Sequence, residues 1–432
     1  MGHLGMHRRL QSRRDPIRVV ITGMGAMGKG LLYQSTVTPG FRCVGVCDLK
    51  VDVARKCVEE FGLPARVVDN LSEAHDAARA GCVPVCEDGM LLAEMETADA
   101  LIESTSCIEA AGRFALAALE HGKHLVLMNA EIDLIFGPYL MSRAHELGLT
   151  YTSCDGDQHG VIKRLMEDMR LWGFAPVMGG NMKGFLDRYS NPTKIIPEAD
   201  KRNLDYRMCT AYTDGTKLNI EMSLLANAMN MRTAVPGMYG PRAGQVRDVL
   251  GLFDFPTLWQ DRVPVVDYIL GASPDGGVYA VGYCEHPYQK SLLKYYKMGD
   301  GPFYVFYRPY HLCHVEAMET VAEAVLDGVS LLEPAAGFRT NVFAYAKKPL
   351  HAGEMLDGLG GYACYGLVEN CPDQGRPAGL PVCLAEHVRL KRDIEADRPI
   401  MLSDIEYDPN RFDFDLYERS LTCSAALIEA SA

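Results

Sequence analysis

The chain has 432 residues, 48% hydrophobic, 23% charged and 9% aromatic, a globular composition with length for two or three packed cores, which excludes a disordered or fibrous protein. Its 43 Lys and Arg stand against 56 Asp and Glu, a formal charge of -13, so no chain-wide positive field exists to hold nucleic acid or an anionic membrane. An anionic substrate must therefore meet a local cluster of cations, and the 14 Cys, with no CxxC pair and no zinc-type spacing, suit reduced thiols in a cytoplasmic protein.

Residues 1–16, MGHLGMHRRLQSRRDP, are expected to be a frayed basic tail. They hold no apolar stretch of signal-peptide length, and Met6 stands where myristoylation requires Ser or Thr. No run approaches the roughly 18 apolar residues of a transmembrane helix.

Ile17 to Thr22 is a β-branched run that stops at Gly23-Met24-Gly25-Ala26-Met27-Gly28, after which Lys29 to Gln34 has helical character. Strand, glycine turn and helix in that order form a dinucleotide fingerprint. Gly23 permits the tight turn, Gly25 lets backbone N–H groups approach a pyrophosphate, and Gly28 allows close helix-on-strand contact. A second strand, Phe41 to Cys47, ends in Asp48, where an acid accepts hydrogen bonds from ribose hydroxyls and by itself favours NAD. Lys50 and Arg55 just beyond it could neutralise a 2′-phosphate, so NADPH and NADH both stay open. Asp48 equally suits a plain cap for the helix expected over 51–61.

Residues 98–105 read as a strand ending in Ser104 and Thr105, and residues 123–128 as another that releases Asn129-Ala130-Glu131. In an open α/β sheet the crevice lies beyond the carboxyl ends of the strands. Ser104, Thr105 and Asn129 are therefore expected on the cofactor and Glu131 on the substrate, with ordinary turn and cap roles as the alternative. From residue 150 a strand (151–154), a polar turn and a helix (161–172) open a second domain. A strand over 176–185 puts Lys183 near its end, and Ala211 to Lys217 opens a long helix carrying Glu221.

Lys217 and Glu221 are four apart, hence on one helical face. They make either a surface ion pair or part of a catalytic set, in which Lys217 or Lys183 polarises the reacting oxygen while Asp214 and Glu221 orient hydroxyls. Phe303 to His311 alternates and ends in Arg308, Tyr310 and His311, a cluster suited to a phosphate or carboxylate. The plain reading is a solvated strand end and the cap of a helix over 315–326. After residue 336, short segments at 341–346, 364–368, 381–384, 388–391 and 398–402 suggest a small β-rich module.

The Gly23-to-Asp48 turn, the Glu103-Ser104-Thr105 strand end and Asp214-Gly215-Thr216-Lys217 resemble the homoserine dehydrogenase superfamily, with Asn129-Ala130-Glu131 in place of its catalytic Asn-Lys pair. Nearly the whole chain is similar to the deoxyxylulose-phosphate reductoisomerase-like branch of that superfamily, which has a C-terminal SAF-type domain. The matching residues are Gly156 to Gln158, Lys183, Asp214 to Lys217 with Glu221, Arg308 to His311 with Glu316, and Ala346 to Glu354 through Asp357 to Tyr362.

Pattern and resemblance together imply an α/β chain in three parts: a Rossmann-type nucleotide-binding domain over 1–150, an α+β catalytic domain over 151–335, and a small β-rich SAF-like domain over 336–432. The last helix of the second part, about 312–328, is a candidate to pack back on the first. The resemblance implies an NAD(P)H-dependent oxidoreductase acting on a small phosphorylated or acidic polyol. One such activity converts 1-deoxy-D-xylulose 5-phosphate to 2-C-methyl-D-erythritol 4-phosphate. A catabolic sugar-acid or branched-sugar dehydrogenase, and a non-catalytic nicotinamide-binding sensor or assembly protein, are the alternatives. No spacing identifies a metal cage, although Mg²⁺ or Mn²⁺ would be compatible with Asp157, Asp187 and Glu221 if the fold gathers them. The expected partners are a small-molecule substrate and further copies of the chain, with no nucleic acid or membrane.

Overall fold

The apolar run Ile17–Thr22 forms strand β1, buried except at Arg18, as a central strand covered on both faces requires. The computed structural model describes residues 5–202, 204–372 and 376–431. It divides into two units, one made of Met1–Asp157 and Leu312–Glu333, the other of Gln158–His311 and Pro334–Ala432.

In the first unit β1 is joined by β2 (Phe41–Cys47), β3 (Ala65–Val67), β4 (Val83–Cys86), β5 (Ala100–Glu103), β6 (His124–Leu127) and β7 (Tyr151–Ser153). They form a parallel sheet of order β3-β4-β2-β1-β5-β6-β7. The winding reverses between β1 and β5, so the Thr22–Glu103 pair, the last of that ladder, lies at the topological switch point. Ile17, Val19 and Ile21 share the core with Leu31 and Leu32 of the helix Ala26–Val37 and with Ala317, Met318 and Val321 of the helix Cys313–Asp327. These two helices meet closely at Gly30, where a Cβ would stand 2.5 Å from the His314 ring.

Residues 5–16 of the basic tail, the part the structure describes, are not frayed. Within them the helix Met6–Gln11 forms, because Met6 and Leu10, four apart, bury one face, and Arg9 pairs with Asp327 at 2.8 Å.

The second unit holds a mixed sheet of order β12-β11-β8-β10-β9, built from β8 (Ala175–Lys183), β9 (Arg232–Thr233), β10 (Val265–Leu270), β11 (Val278–Tyr283) and β12 (Phe303–Arg308). The helix Thr216–Met229, buried at every residue but Ala228, runs through this unit. Polar bonds tie it to the C-terminal segment. Thr216 Oγ1 accepts the Gly366 N–H at 2.9 Å, Asn219 Oδ1 the Val368 N–H at 2.8 Å, and Asn227 Oδ1 the Thr340 N–H at 2.9 Å.

That segment contains an antiparallel pair, β13 (Thr340–Ala346) with β15 (Cys364–Asn370), and a three-stranded sheet of β14 (Met355–Asp357), β16 (Glu386–Leu390) and β17 (Ile405–Glu406). The strands expected at 381–384 and 398–402 are instead a single helical turn, Val382–Leu384, and isolated bridges at Pro381, Pro399 and Met401. Pro381 and Pro399 have no N–H to extend a ladder. The β-rich expectation also misses the helix Phe412–Ser431, whose buried stripe includes Asp413, Ser420 and Ser424 and so hides its period. No helix among the described residues is long and apolar enough to cross a membrane.

Candidate functional site

In the first unit the glycine turn is shaped by what surrounds it. Gly23 has φ +85, and a Cβ there would lie 2.7 Å from the Ser104 carbonyl oxygen and the Thr105 nitrogen; a Cβ on Gly28 would lie 1.7 Å from the Gly23 oxygen. Gly25 differs: nothing lies within 4 Å of its Cβ position, and it stands as N-cap of the helix Ala26–Val37 with no side chain capping the exposed N–H groups. That is the open cradle a pyrophosphate needs. Met24 and Met27 turn their side chains toward the core, so the turn offers backbone rather than side chains.

Asp48, just past β2, accepts the Met24 N–H at 2.7 Å through one oxygen and the Lys50 N–H at 2.8 Å through the other. It braces the glycine turn as well as standing where ribose hydroxyls are expected, since each carboxylate oxygen accepts more than one hydrogen bond. Arg55 is held by Glu59 at 2.7 Å.

Ser104, Thr105 and Asn129 do come together. Ser104 Oγ lies 2.8 Å from the Thr22 carbonyl and 2.9 Å from that of Gly23. Asn129 Nδ2 donates to the Thr105 carbonyl at 2.9 Å, while its Oδ1 caps the helix Ala130–Glu146 through the Glu131 and Ile132 N–H groups. Glu131, on the first turn of that helix, is buried and belongs to this unit, whereas Arg308, Tyr310 and His311 belong to the second.

The second unit gathers its polar groups around Gln158, the first residue of the helix Gln158–Leu171. Asn181 and Lys183 are two apart on β8 and so share a face of the sheet. Asn181 Nδ2 donates to Gln158 Oε1 at 2.6 Å, and Lys183 Nζ donates to the same oxygen at 3.2 Å. Glu221 Oε2 stands 3.6 Å from Lys183 Nζ and 3.4 Å from Asn181 Nδ2. With Oε1 taken by donors, the Gln158 amide nitrogen donates to His311 Nε2 at 2.9 Å, so His311 carries its proton on Nδ1 when neutral. Arg308, the last residue of β12, lies 4.5 Å over the Tyr310 ring. Gln158, which joins Lys183 to His311, enters the sequence reading only through the resemblance, and Asn181, which donates to Gln158, is absent from it; the sequence signal for Asn181 is its two-residue offset from Lys183.

Lys217 and Glu221 do not make a surface pair: they are 6% and 2% exposed, and Glu221 faces Lys183. Asp214 is not brought to the cluster. Its Oδ2 meets Lys347 Nζ at 2.8 Å and its Oδ1 accepts the Thr216 N–H at 2.8 Å, and burial pushes its carboxyl upward against the pull of Lys347. Lys347 completes its shell on the Ser190 and Gly361 carbonyls, each at 2.8 Å. Asp187 lies 3.8 Å from Lys194, so it and Glu221 each face a lysine rather than each other.

Residues 156–317 match the family model described as oxidoreductase DRL, catalytic domain, a span that contains the whole Gln158–His311 network. No curated protein matches the chain. Among solved structures, a probable dehydrogenase from Thermotoga maritima is 10% identical, covering 72% of this chain and 90% of that one, with a TM-score of 0.45. The 1-deoxy-D-xylulose 5-phosphate reductoisomerase from Zymomonas mobilis, in complex with NADPH, is 15% identical over 48% of this chain and 57% of its own, with a TM-score of 0.35. An oxidoreductase from Agrobacterium radiobacter, in complex with NAD+, L-tartaric acid and magnesium, is 10% identical over 39% of this chain and 45% of its own, with a TM-score of 0.29. All three scores fall below 0.5, and the α/β assignment stands on the parallel strand order itself. The class expected from the sequence, an NAD(P)-dependent oxidoreductase, agrees with the family match and with the open glycine cradle.

Proposed function

We propose that the protein is a nicotinamide-dependent oxidoreductase that interconverts a carbonyl and an alcohol on a small polyol carrying a phosphate or carboxylate. The observation that carries this reading is the chain Lys183–Gln158–His311, braced by Asn181 and Glu221, inside the span that matches an oxidoreductase catalytic domain. Bound NADPH or NADH supplies a hydride to the carbonyl carbon. Lys183, held on Gln158 and Glu221, polarises the carbonyl oxygen and gives it a proton; Lys217, one helical turn before Glu221, is the second candidate for that step. Arg308, its guanidinium 4.5 Å over the Tyr310 ring, presents paired donors to the anionic group, and His311 adds adjustable charge. Asp214, committed to Lys347, orients the helix rather than the substrate.

Within this class the favoured substrate is 1-deoxy-D-xylulose 5-phosphate, on the resemblance to the reductoisomerase-like branch with its SAF-type module. The test is NADPH and NADH oxidation by the purified protein with that ketose phosphate, with and without Mg²⁺ or Mn²⁺, followed by analysis of the product's carbon skeleton. A rearranged product supports the reductoisomerase reading; turnover only on sugar acids, without rearrangement, moves the assignment to a catabolic dehydrogenase. Tight cofactor binding with no hydride transfer across polyol phosphates and sugar acids would instead favour a sensor. In an active assay, Lys183→Met or Lys217→Ala lowers kcat/KM by at least about a hundredfold, whichever lysine donates the proton, with the fold retained. Unchanged turnover removes that lysine from the step.

A further inference from the structure

Glu103 closes β5 with its side chain fully buried, opposite Thr22 at the point where the winding of the sheet reverses. Its Oε1 accepts the Thr105 N–H at 2.9 Å, and no hydrogen-bond partner stands at Oε2. A buried carboxyl with one unsatisfied oxygen is costly in either protonation state, and such groups concentrate where a nearby charge makes use of them. The side chains facing it are Thr22 from β1, Thr105 from its own strand end, Asn129 beyond β6, and Glu131 from the helix Ala130–Glu146. Glu131 is the one acid among them, and none is cationic. Burial raises the Glu103 carboxyl to about 7, against the pull of Thr105 and Asn129 and with a smaller push from Glu131.

We propose that Glu103 reads the charge of the nicotinamide ring, ionising when the oxidised, cationic ring is bound and keeping its proton beneath the neutral, reduced one. The proposal rests on the reading that the first unit holds a nicotinamide dinucleotide. The crevice of an open α/β sheet lies just outside the carboxyl ends of the strands at the switch point, which is where Glu103 ends β5. Being fully buried, it acts through space and through the Thr105 N–H, as a positioning residue that touches neither ring nor substrate.

A unit charge at about 10 Å, across an effective dielectric near 20, shifts a carboxyl by about one pKa unit, which is about tenfold in affinity. On binding the oxidised cofactor the proton leaves Glu103 for solvent; on binding the reduced cofactor it stays. The oxidised-to-reduced affinity ratio therefore rises about fivefold between pH near 6 and pH near 8.5.

The decisive experiment is calorimetric titration of the full chain with NADP+, NADPH, NAD+ and NADH across that pH range, in buffers of different ionisation heat, which counts the protons released. The 2′-phosphate titrates in both NADP forms and cancels in the ratio. The expected result is proton release with the oxidised forms alone, lost in Glu103→Gln. Equal proton counts for both redox forms, in the wild-type protein and without recourse to any variant, overturn the proposal. So does release that persists in Glu103→Gln and disappears in Glu131→Gln. Failure of all four nucleotides to bind overturns the nucleotide reading beneath it.

Discussion

Gly25 and Gly28 sit one helical turn apart and meet opposite surroundings. A methyl at Gly25 enters open space at an ordinary φ of -69, so Gly25→Ala keeps the melting temperature while weakening cofactor binding at least about tenfold by filling the pyrophosphate approach. A methyl at Gly28 meets the Gly23 carbonyl at 1.7 Å, so Gly28→Ala costs about 1–3 kcal/mol of stability before any cofactor is added. Melting curves and a fluorescence titration with NADPH separate the two effects. This turn was legible in the sequence because its demands are local backbone ones. The Gln158 network was not, since one amide there joins a strand, a helix and a loop from three parts of the chain. The partner of Asp214 was hidden for a related reason: Lys347 is far along the chain, in a motif that looked like part of a separate module.

At the scale of elements, the helix Thr216–Met229 depends on that same lysine. Lys347 and Asp214 are 4% and 0% exposed, and removing one partner leaves a charge buried without its counter-ion. Lys347→Met is expected to destabilise by about 3–5 kcal/mol in urea unfolding, and adding Asp214→Leu to restore much of the loss. The helix Ala130–Glu146 is pinned to β7 differently, by the Asp133 carboxylate accepting the Tyr151 and Ser153 hydroxyls. Burial raises the Asp133 carboxyl to about 6. A raised acid adds stability that is fully present below its ordinary value near 3.8 and is lost as pH climbs through about 6, on the order of 3 kcal/mol here. Asp133→Asn should flatten that stretch of the stability-versus-pH curve; a slope equal to wild type would assign it to another group. Helices with clean apolar periods were legible to within a few residues, whereas Phe412–Ser431 was concealed by the Asp and Ser in its buried stripe.

At the scale of the molecule, the α/β class was legible because strand, glycine turn and helix alternate through the first 150 residues. The division into units was legible in part: the helix at about 312–328 was expected to return to the first unit, which takes back Leu312–Glu333, whereas the segment from Pro334, expected as a module of its own, groups with the second. Residues 1–157 expressed alone lack the helix Cys313–Asp327, leaving bare the face of Ala26–Val37 on which Ala317, Met318 and Val321 pack. That fragment is expected to bind a hydrophobic dye and aggregate, and to recover when a peptide of residues 312–333 is supplied. A well-behaved, dye-silent fragment would show that the helix is dispensable.

The helix also sets a clock. During synthesis the first unit emerges first yet cannot close its core until all of residues 158–311 have been made. The earliest-made part of the protein therefore has an unsealed apolar face for the longest time on the ribosome, where a slowed elongation rate or a scarce chaperone would exact its toll.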